Sequence, residues 1–245
     1  VGEVPDVWKE AIIIPVFKTG ASAIVSNYRP ISLTCVPCKL MERIIVQRLH
    51  KYLSDNKVLH PAQHGFIKGH STCTNLLESV NDWTLYIQDK HGVAVAYIDF
   101  SKAFDSVSHE KLFHRLYSYG IAGNLLKWLR NLLTGRTHRT RVGFSLSLIA
   151  QLLSGVVQGS GIGPLLFLMF LNELAEIMSQ FGIKIKLFAD DAKLYAEITD
   201  VNDIRTLQVA LDRLVKWATI WQLEVSIEKC FILNVCNVTN NVALS

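Results

Sequence analysis

Val93-Ala94-Val95-Ala96-Tyr97-Ile98-Asp99 is a continuous apolar run that stops on a carboxylate. Such a run predicts a strand buried on both faces. A second stretch, Ile183-Lys184-Ile185-Lys186-Leu187-Phe188, alternates at strand period and leads into Ala189-Asp190-Asp191. Two strands that both end in acid pose a physical problem if they are neighbours. Carboxylates buried near one another are costly, and each raises the pKa of the others. A divalent cation removes that cost, and Mg²⁺ prefers oxygen ligands: one or two carboxylates plus water and substrate phosphates. Asp99 beside the Asp190-Asp191 turn would suit two metals about 3.5–4 Å apart, the arrangement used for phosphoryl transfer. An Asp that simply caps a helix or a turn is the plainer reading, and the residues alone leave both open.

Outward from these strands, helical and extended segments alternate. Ala11–Phe17 predicts a strand and Ser26–Pro30 a turn, because Pro30 disfavours helix at Arg29. Apolar spacing predicts helices over 39–53, 72–88, 110–119, 122–133 and 201–217. Thr137–Phe144 and Leu148–Leu153 predict a hairpin. Gly155–Pro164 is a glycine-rich loop feeding an apolar helix over 165–178. Lys193–Ile198 reads as the return arm from Asp191, and Leu223–Ile227 with Cys230–Val235 as a last hairpin around Glu228-Lys229. Strands mixed with helices and separated hairpins indicate an α+β fold.

Composition narrows the classes. Of 245 residues, 50% are hydrophobic and 19% charged, enough apolar surface to exclude a disordered chain. The 14 glycines and six prolines show no collagen-like period. The longest apolar run, Pro164–Leu171, is far below the roughly 20 residues needed to cross a bilayer, so no membrane partner is expected. Five cysteines, an odd and sparse set, fit a reducing, intracellular compartment; the Cys35–Cys38 pair has metal-site spacing with no second pair to answer it. Eight histidines are scattered without a zinc-protease pattern, no serine-hydrolase elbow is present, and Gly159–Gly163 lacks dinucleotide-fingerprint spacing. Asn237-Val238-Thr239 is a glycosylation sequon that a non-secreted chain would not use. Net charge is only +4, yet Lys111–Asn172 contains no Asp or Glu while carrying Lys127, Arg130, Arg136, Arg139 and Arg141. That stretch suits a phosphate-bearing partner or a solvated charged face.

Six motifs in chain order give a more specific reading. Asn27–Leu33, Gln63-His64-Gly65-Phe66, Asp99–Asp105, Ser154–Ser160 continuing to Phe167, Phe188–Asp191 and Leu223–Lys229 together resemble the reverse transcriptase domain of non-LTR (LINE-like) retrotransposons. The resemblance implies a right-hand polymerase fold: fingers and fingers–palm helices over 1–92, a palm with an antiparallel sheet covered by helices over 93–235, and a thumb start or fragment tail over 236–245. It implies RNA-directed DNA synthesis from a DNA primer, an RNA template and deoxynucleoside triphosphates, with two Mg²⁺ ions, or Mn²⁺ in their place, on Asp99, Asp190, Asp191 and the Phe100 carbonyl. Phe104, five residues after Asp99, would exclude a ribose 2′-hydroxyl. Gln158 and Gly159 would meet nucleotide and template. Arg29 and Lys68 would hold the triphosphate, and Lys229 would protonate pyrophosphate, although Lys68 also reads as a surface lysine and Lys229 as a hairpin lysine.

This chain departs from the family pattern at Val157, where proline is common, and at Ile67-Lys68, where arginine usually follows the Gly-Phe pair. It begins at Val1 without methionine, which reads as a fragment with weak processivity expected. Three other readings stand beside an active polymerase: a catalytically inactive retroelement remnant that binds nucleic acid, an RNA-templated RNA polymerase and a metal-dependent phosphohydrolase. Nuclear action is implied only by the retrotransposon likeness, and oligomeric state is not read from the sequence.

Overall fold

The computed structural model describes residues 2–235. In chain order the strands are β1 (Glu10–Phe17), β2 (Tyr28–Leu33), β3 (Gly92–Ile98), β4 (Arg136–Val142), β5 (Ser145–Leu146), β6 (Ala150–Leu152), β7 (Lys184–Phe188), β8 (Asp191–Ile198) and β9 (Phe231–Val235). The helices are α1 (Val36–Asp55), α2 (Thr72–Gln88), α3 (Ala103–Ser106), α4 (His109–Ser118), α5 (Gly123–Leu133), α6 (Gly163–Leu171), α7 (Glu173–Ser179) and α8 (Val201–Trp221). They fall into two compact units. One joins residues up to 58 with 104–170; the other joins 59–103 with those from 171 onward. Cys236 and the Asn237 sequon, like the expected tail over 236–245, lie outside the described residues.

In the first unit the sheet runs β2-β1-β4-β5, with β6 also on β4. β1 and β2 are antiparallel, β1 and β4 parallel. The expected 137–144 and 148–153 hairpin forms as β4 with β6, with a short β5 turning back on the tip of β4. The turn expected over Ser26–Pro30 is shorter: a helical turn covers Val25–Asn27, and Tyr28 already begins β2. The residue before a proline is driven to extended geometry, which a strand satisfies as well as a turn. Pro30 lies opposite Pro15 on the edge strand, where a missing N–H breaks no ladder. Leu49 and Leu53 of α1, Leu112, Phe113 and Leu116 of α4, and Leu129, Leu132 and Leu133 of α5 are buried.

The second unit is built on an antiparallel sheet ordered β7-β8-β3-β9. Helix α2 lies against β3 and β7, α8 against β8, and α7 against β7. Val93, Val95 and Tyr195 are buried with Trp83 and Tyr86 of α2. The alternate residues Ala94, Ala96, Leu194 and Ile198 are buried too, so β3 and β8 are covered on both faces, as the apolar run predicts.

Two further expectations are corrected. The single helix over 165–178 is broken at Asn172 into α6 and α7. Asn172 is buried, and its Oδ1 accepts the His60 N–H at 2.7 Å. Asn172 itself keeps helical angles (φ −55°, ψ −38°), and its side chain is committed to that distant amide, not to capping α7. The last hairpin does not form. Ser101 N–H donates to the Glu224 carbonyl, Ser226 N–H donates to the Asp99 carbonyl, Ile227–Lys229 makes a helical turn, and β9 pairs with β3. The 223–227 backbone is thereby committed to residues 99–101, not to its own neighbour.

Candidate active site

β3 and β8 pair through Ile98↔Ala192, so the next residues in register are Asp99 and Asp191. Side chains alternate along a strand, which puts both on the face that carries Tyr97 and Lys193. β7 and β8 close on Phe188↔Asp191, leaving Ala189 and Asp190 as a two-residue turn. Ala189 has φ +56°, the left-handed region that L-residues rarely occupy. Asp99 and Asp191 line one cleft of about 300 Å³ together with Lys186, Lys193 and Lys229. Its aromatic wall is Tyr97 stacked on Phe231, 4.5 Å between ring centroids.

Lys229 reaches Asp99 with Nζ 3.2 Å from Oδ1. Its side chain is 59% exposed and that of Asp99 34%, so both can meet a ligand from solvent. The lysine is delivered by the same contacts that replaced the hairpin. Lys229 N–H bonds the Ser226 carbonyl, while Asp99 N–H bonds Cys230 Sγ at 3.5 Å. Lys193 is buried 5.4 Å above the Trp83 ring. Burial, with Lys186 nearby, pulls its amine down to about 8. Lys186 is in turn paired with Glu78. Phe100 is buried and bridges to Val225, while Lys68 is exposed in the loop before α2 and is not one of the residues lining the cleft.

In the other unit, Phe104 stacks on Phe167 of α6, with centroids 4.3 Å apart and planes 14° from parallel. The glycine-rich loop is strapped to the segment that begins with Phe104. Val156 N–H donates to the Phe104 carbonyl at 2.8 Å, Gly155 N–H to that of Val107 at 2.8 Å, and Ser154 Oγ to that of Asp105 at 2.9 Å. Gly155 (φ +87°) is required there, because a Cβ would lie 2.7 Å from the Asp105 carbonyl oxygen. Gln158 Nε2 bonds Asp105 Oδ1 at 3.0 Å, and its carbonyl accepts the Ser32 N–H. Gly159 is exposed, and Arg29 is exposed on β2 opposite Val16.

The sequence reading assigned no role to Asp105, Glu42 or Gln63. Glu42 is 1% exposed, and its Oε2 accepts the N–H groups of Gly161 and Ile162. Its spacing from Cys38, Leu49 and Leu53 puts it on the buried face of α1, but the spacing does not say which groups it bonds. Among the described residues no three His, Cys, Asp or Glu side chains converge to cage a metal ion by themselves. Two carboxylates on neighbouring strand ends are hard oxygen donors of the kind Mg²⁺ takes when substrate and water complete its shell.

Residues 16–240 match the family described as reverse transcriptase (RNA-dependent DNA polymerase). The chain is 30% identical, over 98% of its length, to the RNA-directed DNA polymerase from mobile element jockey of Drosophila melanogaster. It is 34% identical over 94% to the probable RNA-directed DNA polymerase from transposon BS of the same fly. It spans about 27% and 26% of those two relatives. A telomerase of Candida tropicalis, solved with a fragment of telomeric RNA, superposes with a TM-score of 0.71 over 95% of this chain and 42% of that one at 11% identity, which speaks for the fold alone. With its motif aspartates on adjacent strand ends, the chain belongs to the reverse transcriptase family, among the LINE-like members.

Proposed function

We propose that this chain is the fingers-and-palm portion of an RNA-directed DNA polymerase that adds deoxynucleotides to a DNA primer on an RNA template. The observation that carries the reading is the shared cleft of Asp99 and Asp191 at paired strand ends, with Lys229 Nζ 3.2 Å from Asp99. In this reading residues 1–92 serve as fingers and 93–235 as palm. Asp99, Asp190, Asp191 and the Phe100 carbonyl would hold two Mg²⁺ ions. When bound, such ions lower the pKa of a primer hydroxyl and offset charge at the phosphate.

The remaining work belongs to side chains. Lys229 holds a proton at Nζ and delivers it to departing pyrophosphate, the general-acid role. Lys186 and Lys193 keep the cleft electropositive toward a triphosphate. Phe104, fixed by its stack on Phe167, supports the sugar and excludes a 2′-hydroxyl. Gln158, oriented by Asp105, and Gly159 meet the incoming base and template. Arg29 and Lys68 are the fingers cations for the triphosphate. Nuclear action belongs to the same proposal and rests on the retrotransposon relatives.

The test is primer extension on an RNA template with Mg²⁺. Wild type should incorporate dNTPs, and Asp190→Asn should reduce incorporation to background. Equal product from both proteins would overturn the assignment. No product from a wild type that still binds an RNA–DNA hybrid would identify a non-catalytic remnant.

A further inference from the structure

Left-handed backbone at a residue other than glycine is retained only where the surroundings impose it. Ala189 is such a residue, and it sits in the turn that presents Asp190 and Asp191. A two-residue hairpin turn of this kind itself asks for positive φ at its first position, and residues 62–65 brace the turn there. Leu187 N–H donates to the Ala62 carbonyl and His64 N–H to the Leu187 carbonyl, each at 2.9 Å, so this segment runs as a short parallel rung beside β7. Gln63 is 4% exposed, and its side chain points along the rung to the turn. Its Oε1 accepts two N–H groups, from Gly65 at 2.7 Å and from Ala189 at 3.2 Å. Gly65 allows the approach: a Cβ there would lie 2.3 Å from the Ala189 nitrogen and 3.0 Å from its Cα. Asn75 of α2 adds a bond from Nδ2 to the Leu187 carbonyl at 3.2 Å.

We propose that Gln63 is a positioning residue for the carboxylate turn. One buried carbonyl oxygen fixes the left-handed Ala189 and so sets where Asp190 and Asp191 stand, with Gly65 as the spacer that lets it reach. The catalytic half of this proposal rests on the polymerase reading; the brace itself does not. A carboxylate pair that must meet metal ions within a few tenths of an ångström needs a turn that does not swing. Partners that orient metal ligands in this way typically change metal affinity or activity 10- to 100-fold when removed.

The experiment uses the whole chain with Gln63→Met, which keeps length and loses the acceptor, Gln63→Glu, which keeps an oxygen at the same reach, and Gln63→Asn, which retracts it. Amide hydrogen exchange at Ala189 and Gly65 is read without metal or nucleic acid, beside amides of α8 as a control. Primer extension is then titrated with Mg²⁺. Gln63→Met should speed Ala189 exchange about tenfold or more with α8 unchanged, lower kcat about 10- to 100-fold, and raise the Mg²⁺ needed for half-maximal rate, while Gln63→Glu, which keeps the acceptor, recovers the exchange protection. If Gln63→Met fails to fold, the milder Gln63→Asn carries the same readouts. Wild-type exchange at Ala189 in a folded Gln63→Met or Gln63→Asn protein overturns the brace. Faster exchange with unchanged kcat and Mg²⁺ dependence overturns the positioning role. A wild type that extends no primer overturns the polymerase reading and the catalytic half of the proposal, and exchange then decides the brace separately.

Discussion

Phe104 shows how one side chain acquires a role from position and then from packing. Its place after Asp99 is visible in the chain, but a lone phenylalanine there reads equally well as core. The stack on Phe167 and the bond from Val156 N–H to its carbonyl hold the ring to α6 and to the glycine-rich loop. A ring held this firmly is a wall, not a hinge. Phe104→Ala is therefore expected to raise ribonucleotide relative to deoxynucleotide use by at least tenfold, read as the ratio of kcat/KM for matched substrates, with dNTP incorporation retained. Unchanged discrimination would remove the gate. Asp105, its neighbour, could be noticed only once Gln158 Nε2 was found 3.0 Å from its Oδ1.

At the scale of elements, the glycine-rich loop depends on helix α1. Glu42 is buried and accepts the Gly161 and Ile162 N–H groups just before α6 begins, which places a negative charge at a helix N-terminus. Arg136 is buried on the same side of the molecule as Cys38 and Glu42, its Nη1 donating to the Leu132 carbonyl at 3.0 Å; burial lowers its pKa, and the Glu42 carboxylate opposes that without touching it. Cys38, bonded to Glu42 at 3.3 Å, is pushed up to about 12 by burial and by that carboxylate, so it stays a thiol. Glu42→Ala would leave the buried Ile162 amide and the part-buried Gly161 amide without their acceptor. The expected loss is about 1–3 kcal/mol in urea denaturation, with Glu42→Gln recovering part of it. A loss under about 0.5 kcal/mol would mean that water replaces the carboxylate without penalty.

Across the whole molecule, burial disfavours the charged form of several histidines. The pKa of His50, His60 and His64 is lowered from 6.5, in each case chiefly by burial. His64 is fully enclosed, with Nδ1 3.0 Å from Thr74 Oγ1 and Nε2 3.5 Å from Glu78. The unfolded chain therefore takes protons before the folded one as the pH drops. Their contribution to stability is intact above 6.5 and is lost as the pH falls toward the folded values. Denaturation midpoints measured at pH 7, 6 and 5 should fall in that order, and His64→Gln should flatten the slope. A slope that the substitution leaves unchanged would assign the effect elsewhere.

What the sequence determined by itself is local or periodic. The apolar run to Ile98, the alternation to Phe188, the helix over 72–88 and the identity of the motif aspartates all follow from patterns within a few residues. Tertiary structure alone decided the pairing of β3 with β8 that sets Asp99 beside Asp191, the use of 223–229 to deliver Lys229, the break at Asn172, and the buried acceptors Gln63 and Glu42. The physical reason is distance along the chain. A strand pairing, or a polar side chain that meets a remote backbone amide, leaves no local pattern that names its partner, and its value arises only when folding brings the two together and removes water from both.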